Sequence, residues 1–475
     1  MKGKIKFFKK RNGWGFIIRD KSFEEYFFHY SNVHEFKPHK MTQGNTVSFD
    51  ISANEQGPCA VNIRVDRVIS NYTVGSNIKK KIKANPFTPQ DPITDPSKFA
   101  GRKDNICDAV DAICNNKNIL ITGRRGIGKT STITQLAYLT EGEKHFLRKY
   151  SIDVGVYSFK HIISSHKCTE GNSLFEIANS LLHSLVKKIG EEFIPSKKSN
   201  KSAVDIKVIK YSKSTDYEKL NLTDMTSFFV NQVEEIILKS NLDYTGIVFV
   251  IDEIDVLEDQ IDLGSFFKAV IEKFRLDGYL SISFLVGGVT GATTRLLREH
   301  KSAMRLFHVL DLKKMSYEEL EELVDITLFE WETTISKDAV EKLIYYSDGM
   351  PQPVHELGYH AYRLDVNHLI DSNDILSSRD YLIEHQKDFT FNQLFQSLLP
   401  TQIEILKAIA ISRSDRAPFN YIANKLPSET DDKILEHLSI LIKDEVLYSE
   451  YYKYFFVDSL FRSFIKKKFG IHDYF

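Results

Sequence analysis

Between Lys2 and Arg67, apolar and polar residues alternate in short runs set apart by glycine turns. The runs are Lys4-Ile5-Lys6-Phe7-Phe8, Gly15-Phe16-Ile17-Ile18, Tyr26-Phe27-Phe28, Val47-Ser48-Phe49-Asp50-Ile51 and Ala60-Val61-Asn62-Ile63. A period of two puts successive side chains on opposite faces of a strand, and five such runs predict a small barrel over residues 1–68. The pattern breaks over 69–96, where the cluster Lys79-Lys80-Lys81-Ile82-Lys83 is followed by Pro86, Pro89, Pro92 and Pro96. Prolines at that density exclude regular helix, so this stretch reads as a basic, Pro-rich linker.

From Phe99 the period changes. A helix is expected around Lys103 to Cys114, a strand at Asn118–Thr122 and a helix from Lys129. Further strands are expected near Val154 to Phe159, Ile247 to Ile251, Ile282 to Val286 and Phe307 to Leu312. Helices alternating with apolar strands predict a doubly wound α/β core with a parallel sheet over 97–313. Lys197 to Asn221 is polar and aperiodic and reads as an insertion or mobile loop. Past Met315 helical signals take over, opening on the helix start Ser316-Tyr317-Glu318-Glu319, and predict a helical lid over 314–388. Over 389–475, Ala408, Ile409, Ile422, Leu435, Leu438 and Leu441 mark buried helix faces. The segments Val446-Leu447-Tyr448 and Tyr454-Phe455-Phe456-Val457 then suggest a hairpin, so this part reads as a winged helix.

A length of 475 residues is too great for one core, in line with several domains. The net charge of -1 hides an asymmetry: through Lys83 there are 16 Lys and Arg against 7 Asp and Glu, leaving 47 against 57 beyond. The basic end is where a polyanion would dock, with a solubilising tail as the alternative. Four cysteines (Cys59, Cys107, Cys114, Cys168) form neither a disulfide framework nor metal-ligand pairs. The N-terminus lacks the apolar run of a signal peptide, and Gly246 to Ile251 and Phe284 to Val289 are far short of a membrane span. A cytoplasmic protein with no membrane partner is expected.

Gly123-Arg124-Arg125-Gly126-Ile127-Gly128-Lys129-Thr130 follows an apolar strand and opens a helix, the context that makes G-x-x-x-x-G-K-[ST] a phosphate loop. Its glycines let backbone N–H groups curl around phosphates, Lys129 neutralises their oxygens, and Thr130 suits Mg²⁺. Ser131 continues the motif. The strand ending in Asp252-Glu253 supplies the complement: Asp252 for the metal and Glu253 to polarise the attacking water. Asp255 reads as a cap for the following helix. Thr290 is either a polar sensor of the γ-phosphate or a plain loop threonine. Arg305 is either an arginine finger offered to a neighbouring subunit or a surface salt-bridge residue. ATP or ADP with Mg²⁺ is the expected ligand set, in a hydrolase of slow or regulated turnover.

From Asn85 to about Ile370 the chain resembles the AAA+ ATPases of the origin-recognition and STAND groups that carry a C-terminal winged helix. The carriers are Asn85-Pro86-Phe87, Phe99-Ala100-Gly101-Arg102, the two nucleotide motifs and Gly349-Met350-Pro351-Gln352-Pro353-Val354-His355. The resemblance implies that Phe99, Gly101 and Arg102 flank the adenine and that Pro351 and His355 meet the nucleotide from the lid. Where the origin-recognition group has a lid sensor arginine, this chain has Gln352 and His355, which favours a switch over a fast enzyme.

In the barrel, alternation puts Trp14 and Phe16 on one face, while Ile5, Ile17, Val47, Phe49 and Ile51 suffice for a core. Rings among Lys4, Lys6, Lys9, Lys10 and Arg11 make a stacking platform for unpaired bases. Residues 1–67 resemble cold-shock domains, including Gly44-Asn45-Thr46-Val47-Ser48-Phe49 and Gly57-Pro58-Cys59-Ala60-Val61-Asn62. By that resemblance Phe7 stands at the strand-one tryptophan position, Trp14 and Phe16 form the first nucleic-acid motif, and Phe27, His29 and Tyr30 form the second. Lys9 replaces the usual asparagine and Asn12 the usual lysine.

Around the C-terminal hairpin only Arg413, Arg416 and Lys466-Lys467-Lys468 are basic points. That favours protein docking or a clamp on the lid over duplex reading. The expected function is an ATP-dependent switch coupled to single-stranded RNA or DNA, in nucleic-acid surveillance or phage defence, with homo-oligomerisation open. The alternatives are a duplex-DNA-binding replication or transcription regulator, and a signalling adaptor that binds nucleotide with little turnover and recruits a protein effector.

Overall fold

A computed structural model describes residues 1–9, 13–19, 24–34, 46–54, 57–67, 84–192, 221–240, 244–258, 261–279, 281–289, 291, 304–412 and 416–471. Thr290, Lys10, Arg11, Asn12, Arg413 and all of 197–220 lie outside these residues. Two compact units are present: Met1–Ala84 with Asp365–Ile370, and Asn85–Leu364 with Asp371–Phe475.

In the first unit, β1 (Lys2–Lys9), β2 (Trp14–Arg19), β3 (Glu25–His29), β4 (Thr46–Asn54) and β5 (Gly57–Arg67) close a barrel in the order β1-β2-β3-β5-β4. Its core is Ile5, Ile17, Tyr26, Phe28, Val33, Val47, Phe49, Ala60 and Ile63, with Ile51 only packed at its edge. Strict alternation in β1 would pair Phe7 with Ile5 on the inner face. A bulge between Ile5 and Phe7 resets the register, so that Ile5 faces inward-pointing Ile17 while Phe7 stands opposite outward-pointing Phe16. Phe8 then stacks on buried Phe28, ring centroids 5.6 Å apart.

The second unit is built on a parallel sheet of β6 (Asn118–Thr122), β7 (His161–Lys167), β8 (Gly246–Asp252), β9 (Ile282–Gly288) and β10 (Phe307–Asp311), in the order β10-β6-β9-β8-β7. Alternate residues feed opposite cores. Ile247, Phe249 and Ile251 join Phe266, Phe267 and Phe274 on one face, whereas Val248 and Val250 join Ile106, Leu136 and Phe146 on the other. Both faces are covered, as continuous apolar strands require.

The strand expected at Val154 to Phe159 is not formed; β7 runs over His161–Lys167 instead. Gly155 turns at φ 57 and Val156 is fully exposed. The polar strand is tolerated because its groups find partners: Ser164 Oγ donates to Leu181 O at 2.6 Å, and His161 Nδ1 lies 3.2 Å from Thr140 O.

Helices Tyr317–Leu328, Lys337–Ser347, Pro351–Leu364 and Ser372–Tyr381 form the lid. Ser316 and Glu319 close the capping box expected at its start. The C-terminal part places helices Pro400–Ile411, Phe419–Lys425, Asp431–Lys443 and Ser459–Lys468 around a three-stranded antiparallel sheet of Arg416–Pro418, Lys453–Phe456 and Leu447–Glu450, in that order. Leu435, expected inside, is exposed; the buried stripe of its helix runs through Ile434, His437, Leu438 and Leu441, one position off. The hairpin turns on Tyr451 (φ 49) and Tyr452 (φ 61), in the left-handed region that hairpin turns usually fill with Asn or Gly. Two tyrosines there cost about 1 kcal/mol each.

Among the described residues no helix is long and apolar enough to cross a membrane, and Cys59, Cys107, Cys114 and Cys168 are all free.

Candidate functional site

On the barrel, β2 and β3 pair so that Phe16 faces Phe27 and Trp14 faces His29. The inward partners Ile17 and Phe28 are fully buried, so Trp14, Phe16 and Phe27 are left half-exposed on the other face. Their centroids lie 5.8 to 6.1 Å apart, with Trp14 and Phe27 each edge-on to Phe16 and tilted against one another. His29 and Tyr30 extend the face with rings 4.4 Å apart. Gly13, at φ +72, lets the Tyr30 ring close in: a Cβ there would lie 2.5 Å from it. Lys6 is held by Glu25 at 2.6 Å, which keeps its charge at the rim. The side chains of Phe7 and Lys9 lie outside the described residues; their backbones stand opposite Phe16 and Trp14. The face is an aromatic patch with a cationic edge, suited to stacking bases.

In the second unit a cavity of about 620 Å³ opens where the strand order reverses, at the C-terminal ends of β6 and β8. Its floor is the loop after β6. Gly128 (φ 94) ends that loop and starts the helix Lys129–Glu141, so the helix N-terminus points into the cavity. Lys129 Nζ donates to Gly123 O and Arg124 O, each at 3.0 Å. Burial pushes this ammonium down from its ordinary value, and Asp255 and Asp252 partly offset that.

Thr130 Oγ donates to Asp252 Oδ2 at 2.7 Å. A hydroxyl and a buried carboxylate side by side beneath a helix N-terminus are the oxygen donors a Mg²⁺ ion with a phosphate chain requires, so the residues present fit that pair. Gly287 keeps the space open, since a Cβ there would come within 2.5 Å of Asp252 Oδ1. Glu253 leaves the strand at φ 58 and lines the cavity. Its Oε1 is 2.9 Å from Lys167 Nζ. Asp255 does not cap a helix; its Oδ1 accepts the Val289 N–H at 2.9 Å and ties the end of β9 to the site.

The walls come from two directions. Arg125, Gly126, Ile127 and Ser131 line the cavity together with Phe99 and Arg102, and the lid supplies Pro351, Gln352 and His355. Arg102 is buried and clamps the loop, its guanidinium donating to Ile127 O at 2.8 Å and to Lys313 O. Gly101, Gly123 and Arg124 do not line the cavity. Gly101 instead donates its N–H to Glu322 in the lid at 2.9 Å. His355 Nδ1 accepts the Thr88 N–H at 3.2 Å, and its enclosure pushes the imidazole down to about 4. Phe87 packs edge-on against His355 and beneath Gly358, where a Cβ would meet its ring at 2.4 Å, and Asn85 donates to Tyr359 O at 2.9 Å. Arg305 is exposed in the turn two residues before β10.

Arg124 turns away from the cavity. Its Nη2 donates to Val457 O at 2.8 Å and its guanidinium lies over the Tyr448 ring, 3.9 Å from the centroid. Lys387 makes a second bridge, 3.1 Å from Glu356 of the lid and 3.3 Å from Asp458. Of the C-terminal basic run, Lys466 is turned inward while Lys467 and Lys468 are exposed. Lys466 is buried and donates to Tyr345 Oη at 3.1 Å, Lys467 pairs with Glu384, and Lys468 lies 4.3 Å over Phe395.

Sequence reasoning missed Lys167 and Arg124's outward role, and it named Gln352 at the place of a lid sensor arginine without its approach to Gly126. Only strand order could have revealed Lys167, because the parallel register Lys167↔Asp252 is what brings it beside Glu253.

Comparison with known proteins covers both units. The family model described as 'Cold-shock' DNA-binding domain matches residues 1–65. The cold shock protein ScoF of Streptomyces coelicolor is 38% identical over 61 residues, 13% of this chain and 91% of that protein. The cold shock-like protein CspB of Bacillus cereus is 38% identical over 63 residues, 13% of this chain and 95% of that protein. Among solved structures, the Walker-type ATPase PABY2304 of Pyrococcus abyssi aligns with a TM-score of 0.51 at 15% identity, covering 79% of this chain and 99% of that one. That likeness gives the second unit the fold of a P-loop ATPase.

Proposed function

The chain belongs, through residues 1–65, to the cold-shock domain family, and from that premise we propose that it is an ATP-dependent switch whose barrel binds single-stranded nucleic acid. The observation that carries the switch is the grip of the C-terminal part on the phosphate loop itself, through Arg124 with Tyr448 and Val457. A loop that must wrap phosphates cannot change shape without pulling on that contact. Nucleotide state and C-terminal position are therefore coupled, and the coupling is reciprocal. This supports a clamp role for the C-terminal part, which we read as a winged helix, over a role in reading duplex DNA.

In this reading Lys129 and the N–H groups of 124–130 bind the β and γ phosphates, and Phe99 and Arg102 form the wall beside the base. Pro351 and His355 close the roof. Bound Mg²⁺ would neutralise charge across the phosphate oxygens, held by Thr130 with Asp252 behind it. Glu253 orients the attacking water and takes its proton. In this scheme Arg305 would serve a neighbouring subunit in an assembled state, and Thr290 remains the sensor.

A second reading, a nucleotide-binding adaptor of low turnover, is favoured by the Lys167 pairing, because Glu253 must leave that ammonium before it can engage the attacking water. Measuring ATP hydrolysis with and without single-stranded RNA, single-stranded DNA and duplex DNA, while recording mass in solution, separates the readings. Single-strand-dependent turnover supports the switch. Turnover indifferent to every strand, with nucleotide still bound, leaves the adaptor.

A further inference from the structure

A second cavity, of about 540 Å³, lies between the lid and the C-terminal hairpin and shares Tyr448 with the Arg124 clamp. Five rings line it: Tyr317 and Tyr345 from the lid, and Tyr448, Tyr451 and Phe455 from the hairpin. Four cations share the lining, Lys314, Arg416, Lys453 and Arg462, against two carboxylates, Asp348 and Glu450. One cation and one carboxylate offset each other, since Asp348 holds Lys314 at 2.6 Å. The rings are fixed. Tyr448 and Phe455 face each other across the hairpin and stack at 4.7 Å and 18°, and the buried Arg462 guanidinium lies 5.0 Å from the Tyr345 ring. Tyr451 stands fully out at the cavity mouth beside exposed Arg416 and Lys453.

Flat apolar walls with a net positive rim call for a ligand that is planar at one end and anionic at the other. The volume approaches that of the first cavity, so the ligand is of nucleotide size. We propose that this cavity is a second ligand site, taking a nucleoside phosphate group, either as a free nucleotide or as the phosphorylated end of a single strand. The base lies among the rings and the phosphate meets Arg416 and Lys453. Because Tyr448, which Arg124 covers, is part of the lining, a ligand seated here bears on the phosphate loop through that residue.

The test uses the full chain with its first site saturated by ADP and Mg²⁺, so that it needs no hydrolysis and stands or falls apart from the switch reading. Adenosine and guanosine 5′-monophosphate, a 5′-phosphorylated oligothymidylate and its unphosphorylated counterpart are titrated by calorimetry. The same titrations are run on the Arg416→Ala, Lys453→Ala double variant and on Tyr451→Ser, all exposed positions whose replacement leaves the fold intact. Saturable monophosphate binding with Kd below about 1 mM, weakened about tenfold in the double variant, establishes the site with a free nucleotide as source. Phosphate-dependent oligonucleotide binding that alone shows the same weakening establishes the strand end. Absence of both, or equal affinity in wild type and variants, overturns the proposal.

Discussion

The Arg124 guanidinium lies 3.9 Å from the centroid of the Tyr448 ring, so that a side chain of the phosphate loop is stacked on the C-terminal hairpin. A desolvated cation over a ring contributes up to about 2 kcal/mol, and the bond to Val457 O adds about 1 kcal/mol. Tyr448→Ala should therefore speed release of a fluorescent ADP analogue, by up to about thirtyfold, in stopped flow. Tyr448→Phe should not, because the ring is what the Arg124 guanidinium covers and phenylalanine keeps it. Equal release rates in Tyr448→Ala and wild type would remove the basis for the clamp.

At the nucleotide cavity the roles divide. Lys129→Ala should abolish ATP binding, whereas Glu253→Gln should keep binding and lose turnover by a factor of about 10² or more. Lys167→Met frees Glu253 and should raise turnover, but by no more than about fivefold, since a pair this exposed is worth at most about 1 kcal/mol. Steady-state hydrolysis with nucleotide affinity measured in parallel checks all three. Full activity in Glu253→Gln would assign the base elsewhere.

His355 gives the lid a pH dependence whose sign is fixed by its enclosure. Its imidazole titrates at about 4 when folded, against about 6.5 in an unfolded chain. Above about pH 6.5 it is neutral in both states and contributes nothing. As pH falls from about 6.5 to 4 the unfolded chain binds a proton that the folded chain refuses, so stability is lost through that window, by about 2 kcal/mol at pH 5. His355→Asn, which can still accept the Thr88 N–H, should shrink the drop in melting temperature between pH 7 and pH 5. An unchanged drop would show that other groups carry it.

On the barrel, stacking and charge can be separated. Trp14→Ala or Phe27→Ala should weaken single-strand binding by about 1–3 kcal/mol each with little change in its salt slope. Lys6→Ala should lower the salt slope by at most about one ion, because Lys6 is shared with Glu25. Filter binding across a salt series distinguishes the two classes. A barrel variant lacking Trp14, Phe16 and Phe27 that still binds strands normally would move the binding surface off this face.

Much of this molecule could be read before folding, and what escaped has a common cause. The phosphate loop, the helix Lys103–Cys114 and the Ser316 capping box rest on contacts within a few residues, so their signals lie in the local sequence. The strand His161–Lys167 was hidden because its polar residues are satisfied by groups far along the chain, such as Leu181 and Thr140. Lys167 escaped for the same reason, as its pairing with Glu253 follows from strand order. In the barrel the aromatic face was legible from alternation, but the bulge that moves Phe7 opposite Phe16 leaves no mark in a pattern of period two. Arg124 matched its motif position and yet serves the neighbouring hairpin, which no motif encodes.

The seating of Phe87 beneath Gly358, with Asn85 bonded to Tyr359, settles where force enters the second unit. Whatever tugs on the chain at Ala84 meets the helix Pro351–Leu364 before it meets any strand of the sheet. That helix carries Pro351, Gln352 and His355, the roof of the nucleotide cavity. Tension along the backbone would thus reach the roof first and then, through Ile93, which donates to Ser131 and accepts from Gln135, the helix Lys129–Glu141 that continues the floor.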